Sequence, residues 1–105
     1  MQGDLAMIFD GETNDFVNSL IGTLTAWIGA HRVAVDDQIP SNDQFSWIDG
    51  SALVYNNWRT ETEEPNNWDG KEFCATVNNL NKWSDGTWND FVCDTYEVDY
   101  YVCQI

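Results

Sequence analysis

The sequence predicts a small mixed α+β domain, with one or two short helices, antiparallel sheets and a long irregular loop. The prediction rests on three observations. Residues 10–22 carry helical spacing and signals for both helix ends, and most of the chain beyond them is short strand-like runs divided by turn residues. Between Asn56 and Lys71 the periodicity disappears, over a stretch longer than structureless loops usually run.

LAMIF, Leu5 to Phe9, reads as a short strand. Asp10 reads as a helix N-cap, and Glu12 stands in the first turn, where negative charge is favourable. Phe16, Val17, Leu20 and Ile21 recur at helical spacing, and Gly22 closes the segment. LTAWIGA, Leu24 to Ala30, reads as a buried strand, and HRVAVDDQIPSND as a polar loop. FSWIDG ends in an Asp49-Gly50 turn, from which ALVY, Ala52 to Tyr55, is expected to return as a hairpin partner. After the irregular stretch, FCATV, TWNDFVC and DYYVCQI are strand-like, separated by Asn, Gly and Asp. There is no internal repeat or linker, so residues 1–105 are read as one domain.

Charge narrows the partners. The 105 residues hold 4 Lys+Arg against 18 Asp+Glu, a formal net charge of -14. Such a chain repels nucleic acid, anionic lipid and sulfated polymers unless a cation intervenes. Most of the acids are expected on a solvated surface, with a minority clustered for a cation. No apolar run approaches the roughly 18 to 20 residues of a membrane helix, so membrane insertion by this segment is not expected. Met1-Gln2-Gly3-Asp4 does not have the character of a signal segment.

The chain has 3 cysteines, Cys74, Cys93 and Cys103, and an odd number leaves one thiol without a partner inside the chain if disulfides form. Their spacing is unlike a zinc pattern, and the one histidine, His31, lies far upstream. A bridge between Cys74 and Cys93 would stabilise the fold by roughly 3 kcal/mol by restricting the unfolded chain. The alternative is a set of buried free thiols.

The stretch EEPNNWDGKEFC, residues 63–74, suits neither helix nor strand. Pro65 and the adjacent asparagines break regular pairing, while Glu64, Asn66, Asn67, Asp69 and Glu72 present many side-chain oxygens on one short segment. Loops of that kind bind hard cations. Calcium takes six to eight oxygen ligands in a flexible shell, which carboxylates and amide carbonyls can supply.

TAWIGA, FSWIDGS, YNNW, EEPNNW, KEFC, TWNDFVC and YYVCQ occur in the order and spacing of C-type lectin domains, which the chain resembles over essentially its whole length. The most specific part is Glu-Pro-Asn, followed by an acid two residues before a cysteine and then by Trp-Asn-Asp-x-x-Cys. The resemblance implies a C-type lectin-like fold and calcium-dependent carbohydrate binding. The ligands implied are mannose-type sugars: mannose, fucose, glucose and N-acetylglucosamine. It implies calcium ligation by Glu64, Asn66, Glu72, Asn89 and Asp90. The sugar would be contacted by Glu64, Asn66, Glu72 and Asn89, with two vicinal hydroxyls completing the calcium shell. It also implies a cis Glu64-Pro65 bond, glycans or glycoconjugates as partners, and an extracellular setting, secreted or as part of an ectodomain.

The tryptophans divide by position. Trp27, Trp47, Trp58 and Trp88 fall where the family has core or core-edge residues, and Trp83 fits either packing or contact. Trp68 follows the calcium motif within a polar loop, close to where galactose-binding members place an aromatic ring, and is a candidate sugar contact. A galactose preference assisted by Trp68, or a protein- or ice-binding domain on the same scaffold, are the competing functions.

The sequence also departs from the family. Arg32, Asn67 and Phe73 stand at positions that resemble those of an auxiliary calcium site. A guanidinium and a phenyl ring cannot ligate calcium, so that site is not expected unless Asp36, Asp37 or Asp43 stands in. The family's opening strand, with a cysteine bonded to the position of Cys103, would fall before Met1. The chain thus reads as shortened at its N-terminus, with Cys103 free or bonded outside it and an edge strand open to being left uncovered. No nucleophile-base spacing or phosphate loop supports catalysis, and the acids sit among amides and a proline, which suit a metal better than a glycosidase pair.

Overall fold

The structure, a computed structural model, describes residues 4–36, 38–80 and 82–104. The chain opens with a short strand β1 (Asp4–Leu5) and a helix α1 (Gly11–Ile21). Asp10 caps the helix, its carboxylate accepting from the Thr13 amide at 2.8 Å. At the other end Gly22, at φ 60°, donates its N–H to the Asn18 carbonyl. Val17 is the apolar residue of the helix that is fully buried, while Phe16 and Leu20 remain exposed.

The main sheet is formed by β2 (Ala26–Arg32), β3 (Phe45–Trp47), β4 (Cys74–Asn79), β5 (Trp83–Phe91) and β6 (Tyr100–Tyr101). Its order is β3-β2-β4-β5, antiparallel throughout, with β6 pairing in parallel with Ala26 and Trp27 of β2. A separate small sheet joins β1 to β7 (Cys103–Gln104), bringing the described chain ends together. A 3-10 turn precedes β3 (Ser41–Gln44), and another lies in the long loop (Trp68–Gly70).

Gly29 explains how β1 meets the main sheet. Its N–H donates to the Ala6 carbonyl at 2.8 Å, and a Cβ there would lie 2.9 Å from the Leu5 carbonyl oxygen. The β2–β4 register shifts between Ile28 and His31, so the glycine sits at a bulge.

Aromatic residues dominate the core. Trp88 is fully buried and meets Trp47, Tyr55 and Trp58 edge-on, with ring centroids 5.7, 5.9 and 5.5 Å away. Its indole N–H donates to Asn14 Oδ1 at 2.8 Å, which accounts for a buried asparagine on α1. Ile8, Val17, Ile28, Phe45, Leu53 and Val77 complete the packing. Cys74 and Cys93 form a disulfide, and Cys103 has no disulfide partner among the described residues.

The expected strands are displaced in several places. The Leu5–Phe9 strand is confined to Asp4–Leu5, because beyond it the Met7 amide turns to the Gln104 side chain. The strand expected over Leu24 to Ala30 begins later and runs on to Arg32. The Ala52–Tyr55 return is reduced to one bridge, Ser46 with Ala52, and Val54 is 90% exposed. DYYVCQI divides into β6 and β7, and its last residue, Ile105, lies outside the described residues. Trp27 is half-buried at the core edge, against Phe91.

Candidate functional site

The long loop folds against β4 and β5 around one polar cleft. The Glu64-Pro65 peptide bond is cis. Glu63, Asn67, Asp69 and Gly70 adopt left-handed φ of 58°, 48°, 60° and 68°, and Asn and Asp tolerate that region better than most residues. These bends leave Glu64, Asn66, Trp68 and Glu72 facing Asn79, Asn89 and Lys82 across a cleft of about 630 Å³.

Beneath the cleft, Asp90 is fully buried and holds the loop from below. Its Oδ1 accepts from the Asn66 amide at 3.1 Å, and its Oδ2 from the Asn67 amide at 2.7 Å. The same Oδ2 pairs with Arg32 Nη2 at 2.8 Å, with both side chains almost wholly buried. Arg32 also donates Nε to the Glu72 carbonyl at 3.0 Å and Nη1 to Gln44 Oε1, and its guanidinium lies 4.6 Å from the Phe45 ring centre. The loop is braced within itself too. Glu72 Oε1 accepts from the Trp68 amide at 2.9 Å, and Asn67 Oδ1 from the Glu72 amide at 3.1 Å.

Negative charge exceeds positive here. Burial, and then the neighbouring Asp90, push the Glu64 carboxyl up to about 7 against some relief from Thr62. Burial and the Asp90 charge likewise push Glu72 up to about 7, with Arg32 offsetting only part. Glu64 Oε1 is buried with no hydrogen-bond partner. Among the described residues, no three His, Cys, Asp or Glu side chains are grouped closely enough to hold a metal by themselves.

Four of the five residues expected as calcium ligands, Glu64, Asn66, Glu72 and Asn89, thus line one cleft, and Asp90 lies under it with its oxygens engaged. Trp68 stands on the rim, 71% exposed. Trp83 borders the same cleft, with Arg59 stacked 4.7 Å from its ring centre. At the positions compared with an auxiliary site, Arg32 supplies an internal cation, Asn67 braces the loop and the Phe73 carbonyl accepts from the Arg32 amide. Asp36 Oδ1 caps the Gln38 amide, and neither Asp36 nor Asp43 is among the described residues lining the cleft; Asp37 lies outside the described residues.

The family model described as "Lectin C-type domain" matches residues 1–105. The chain belongs to the C-type lectin domain family. The mouse low affinity immunoglobulin epsilon Fc receptor is 32% identical over 104 residues, covering 99% of this chain and 27% of that receptor. Among solved structures, the cow C-type carbohydrate-recognition domain of CD23, in the presence of GlcNAc2Man3 oligosaccharide, superposes with a TM-score of 0.75 at 29% identity. That match covers 96% of this chain and 67% of that one. The mouse scavenger receptor C-type lectin carbohydrate-recognition domain gives a TM-score of 0.70 at 30% identity, over 96% of this chain and 68% of the other. The chain therefore spans little more than a quarter of the length of the curated receptor it matches. As a C-type lectin domain it is a binding module rather than an enzyme.

The sequence did not assign Arg32 its place as partner of Asp90. The available signal was a basic residue two positions past the apolar run ending at Ala30, in a chain with 4 Lys+Arg; such a residue, if buried, asks for an acid as partner. Leu80, Lys82 and Glu97 also border the cleft, and no local pattern marks them, since only folding brings them beside the loop.

Proposed function

We propose that this domain binds glycans through a calcium ion held by Glu64, Asn66, Glu72 and Asn89, with Asp90 contributing from below. The observation that carries the reading is the cation-poor cleft. Burial and the Asp90 charge push the Glu64 and Glu72 carboxyls up to about 7, and Glu64 Oε1 is buried with no partner. That donor set of carboxylates and amides fits a hard cation, and it needs amide oxygens besides the acids to fill a shell. Bound calcium would supply a coordination centre that vicinal sugar hydroxyls can complete.

The chain's own residues do the selecting. A carboxylate of Glu64 or Glu72 accepts from a sugar hydroxyl, while the amides of Asn66 and Asn89 donate to one. The order Glu64-Pro65-Asn66 favours mannose-type sugars in this reading, and the oligosaccharide named with the cow relative agrees with it. The partners are then glycans or glycoconjugates outside the cell. Thermal melts in calcium and in chelator, with a glycan array under both conditions, test this. Calcium at millimolar concentration should add on the order of one to a few kcal/mol and turn glycan binding on. Identical melts and identical arrays would overturn it.

The exposed indole of Trp68 on the rim favours a second reading, galactose-type binding with the ring against the apolar face of the sugar. Exchanging the polarity of the motif, Glu64→Gln with Asn66→Asp, separates the readings. Calcium binding should persist while mannose-type preference is lost, and competition by free mannose and galactose reads the outcome. An unchanged preference would mean that these side chains do not contact sugar.

A further inference from the structure

We propose that Arg32 is a positioning residue for the cleft: its guanidinium holds the long loop in its binding shape before any metal arrives, so that calcium enters a formed site. This rests on the reading of the cleft as a calcium site.

The loop brings Glu64, Asn66 and Glu72 to the cleft, whereas Asn89 stands on β5, paired across to Thr76 of β4. The three loop residues need anchors of their own, and the backbone around each has one. The Glu64 amide donates to the Arg59 carbonyl at 2.9 Å, and the Asn66 and Asn67 amides donate to the two oxygens of Asp90 at 3.1 and 2.7 Å. The Glu72 carbonyl accepts from Arg32 Nε at 3.0 Å, and the Phe73 carbonyl from the Arg32 amide at 2.7 Å. Arg32 therefore holds the C-terminal end of the loop directly and its middle through Asp90.

A carboxylate buried as completely as Asp90 serves as an anchor only with a cation beside it. Among the described residues that cation is Arg32, 2.8 Å away, since Arg59 pairs with Glu61 and Asp85 and Lys71 lies near Asp69. Arg32 is fixed in turn by Gln44 and by the Phe45 ring that its guanidinium stacks over. A loop already ordered by a cation of the chain itself costs calcium less to bind than one that the metal must order.

Amide hydrogen exchange and calcium titration calorimetry on the parent, Arg32→Met and Arg32→Lys test the proposal. In chelator the parent's Asn66 and Asn67 amides should exchange slowly, at rates close to those in calcium. In Arg32→Met they should lose that protection in chelator and regain it in calcium, with calcium affinity on the order of tenfold lower. Arg32→Lys keeps the charge but not the fork and should fall between, and it carries the comparison if Arg32→Met does not fold in chelator. A purely structural role would lower protection evenly through β4 and the loop and leave calcium affinity as in the parent. That result, or parent loop amides that slow only in calcium, would overturn this inference alone. A parent that binds no calcium would overturn the proposed function and this inference with it.

Discussion

Arg32 brings one guanidinium to Asp90, to the Glu72 carbonyl and to Gln44, and so ties β2, β5, the long loop and the turn before β3 at one buried point. Arg32→Met leaves Asp90 as an uncompensated buried charge beneath the cleft. Removing one partner of such a pair costs about 3–5 kcal/mol, which urea denaturation in chelator would read. A loss below about 1 kcal/mol would place the pair with exposed ones in energetic terms. Arg32→Lys should recover only part of the loss, since an ammonium lacks the planar fork that reaches several acceptors at once. Trp68 gives the opposite case. Its indole is mostly solvent-exposed and offers the metal no oxygen, so Trp68→Ala should weaken glycan binding while leaving calcium affinity and melting temperature nearly unchanged. A fall in melting temperature without loss of glycan binding would make the ring a packing element.

The elements show where local signals suffice and where they do not. The helix was legible because Asp10, Glu12 and Gly22 state its ends locally, in residues that act on their own backbone. The loop was legible because Pro65 and the Asn and Asp residues permit the bends it makes. The Ala52–Tyr55 hairpin failed because Leu53 finds its burial in the core while Val54 is left in solvent, so alternation alone did not form a ladder. Glu64 and Glu72 stood out as part of an oxygen-rich run on one short loop, and Asp90 was singled out only through the family resemblance; the Arg32–Asp90 pair spans 58 positions and has no local signature. Gly29 marks another long-range constraint. Gly29→Ala would drive a Cβ into the Leu5 and Ala6 carbonyls, at 2.9 and 3.1 Å, where backbone must move. Overpacking of this sort costs typically about 1–3 kcal/mol, measurable by denaturant unfolding, and an unchanged midpoint would mean that β1 shifts freely.

For the whole molecule, the pH dependence of stability turns on an excess of carboxylate, 18 Asp+Glu against 4 Lys+Arg, that the chain's few bases do not balance. Glu64 and Glu72 stand at about 7 when folded and metal-free, against an ordinary 4.5. Between those values the folded protein holds more protons than the unfolded chain. The contribution of these groups to stability is therefore fully present below about 4.5, and is lost as pH rises through about 7. Partial solvent exposure of both side chains screens the effect, so its sign is the firm expectation. On the proposed reading calcium would act in the other direction, because its ligands must be ionised and its binding would displace those protons. The rise in melting temperature on adding calcium should thus be small near pH 5, grow up to about pH 7 and then level off. Melts in calcium and in chelator across that range check both limbs. A calcium shift of equal size at pH 5 and pH 7.5 would mean that Glu64 and Glu72 are not the groups from which protons are displaced, and would move the cation away from this cleft.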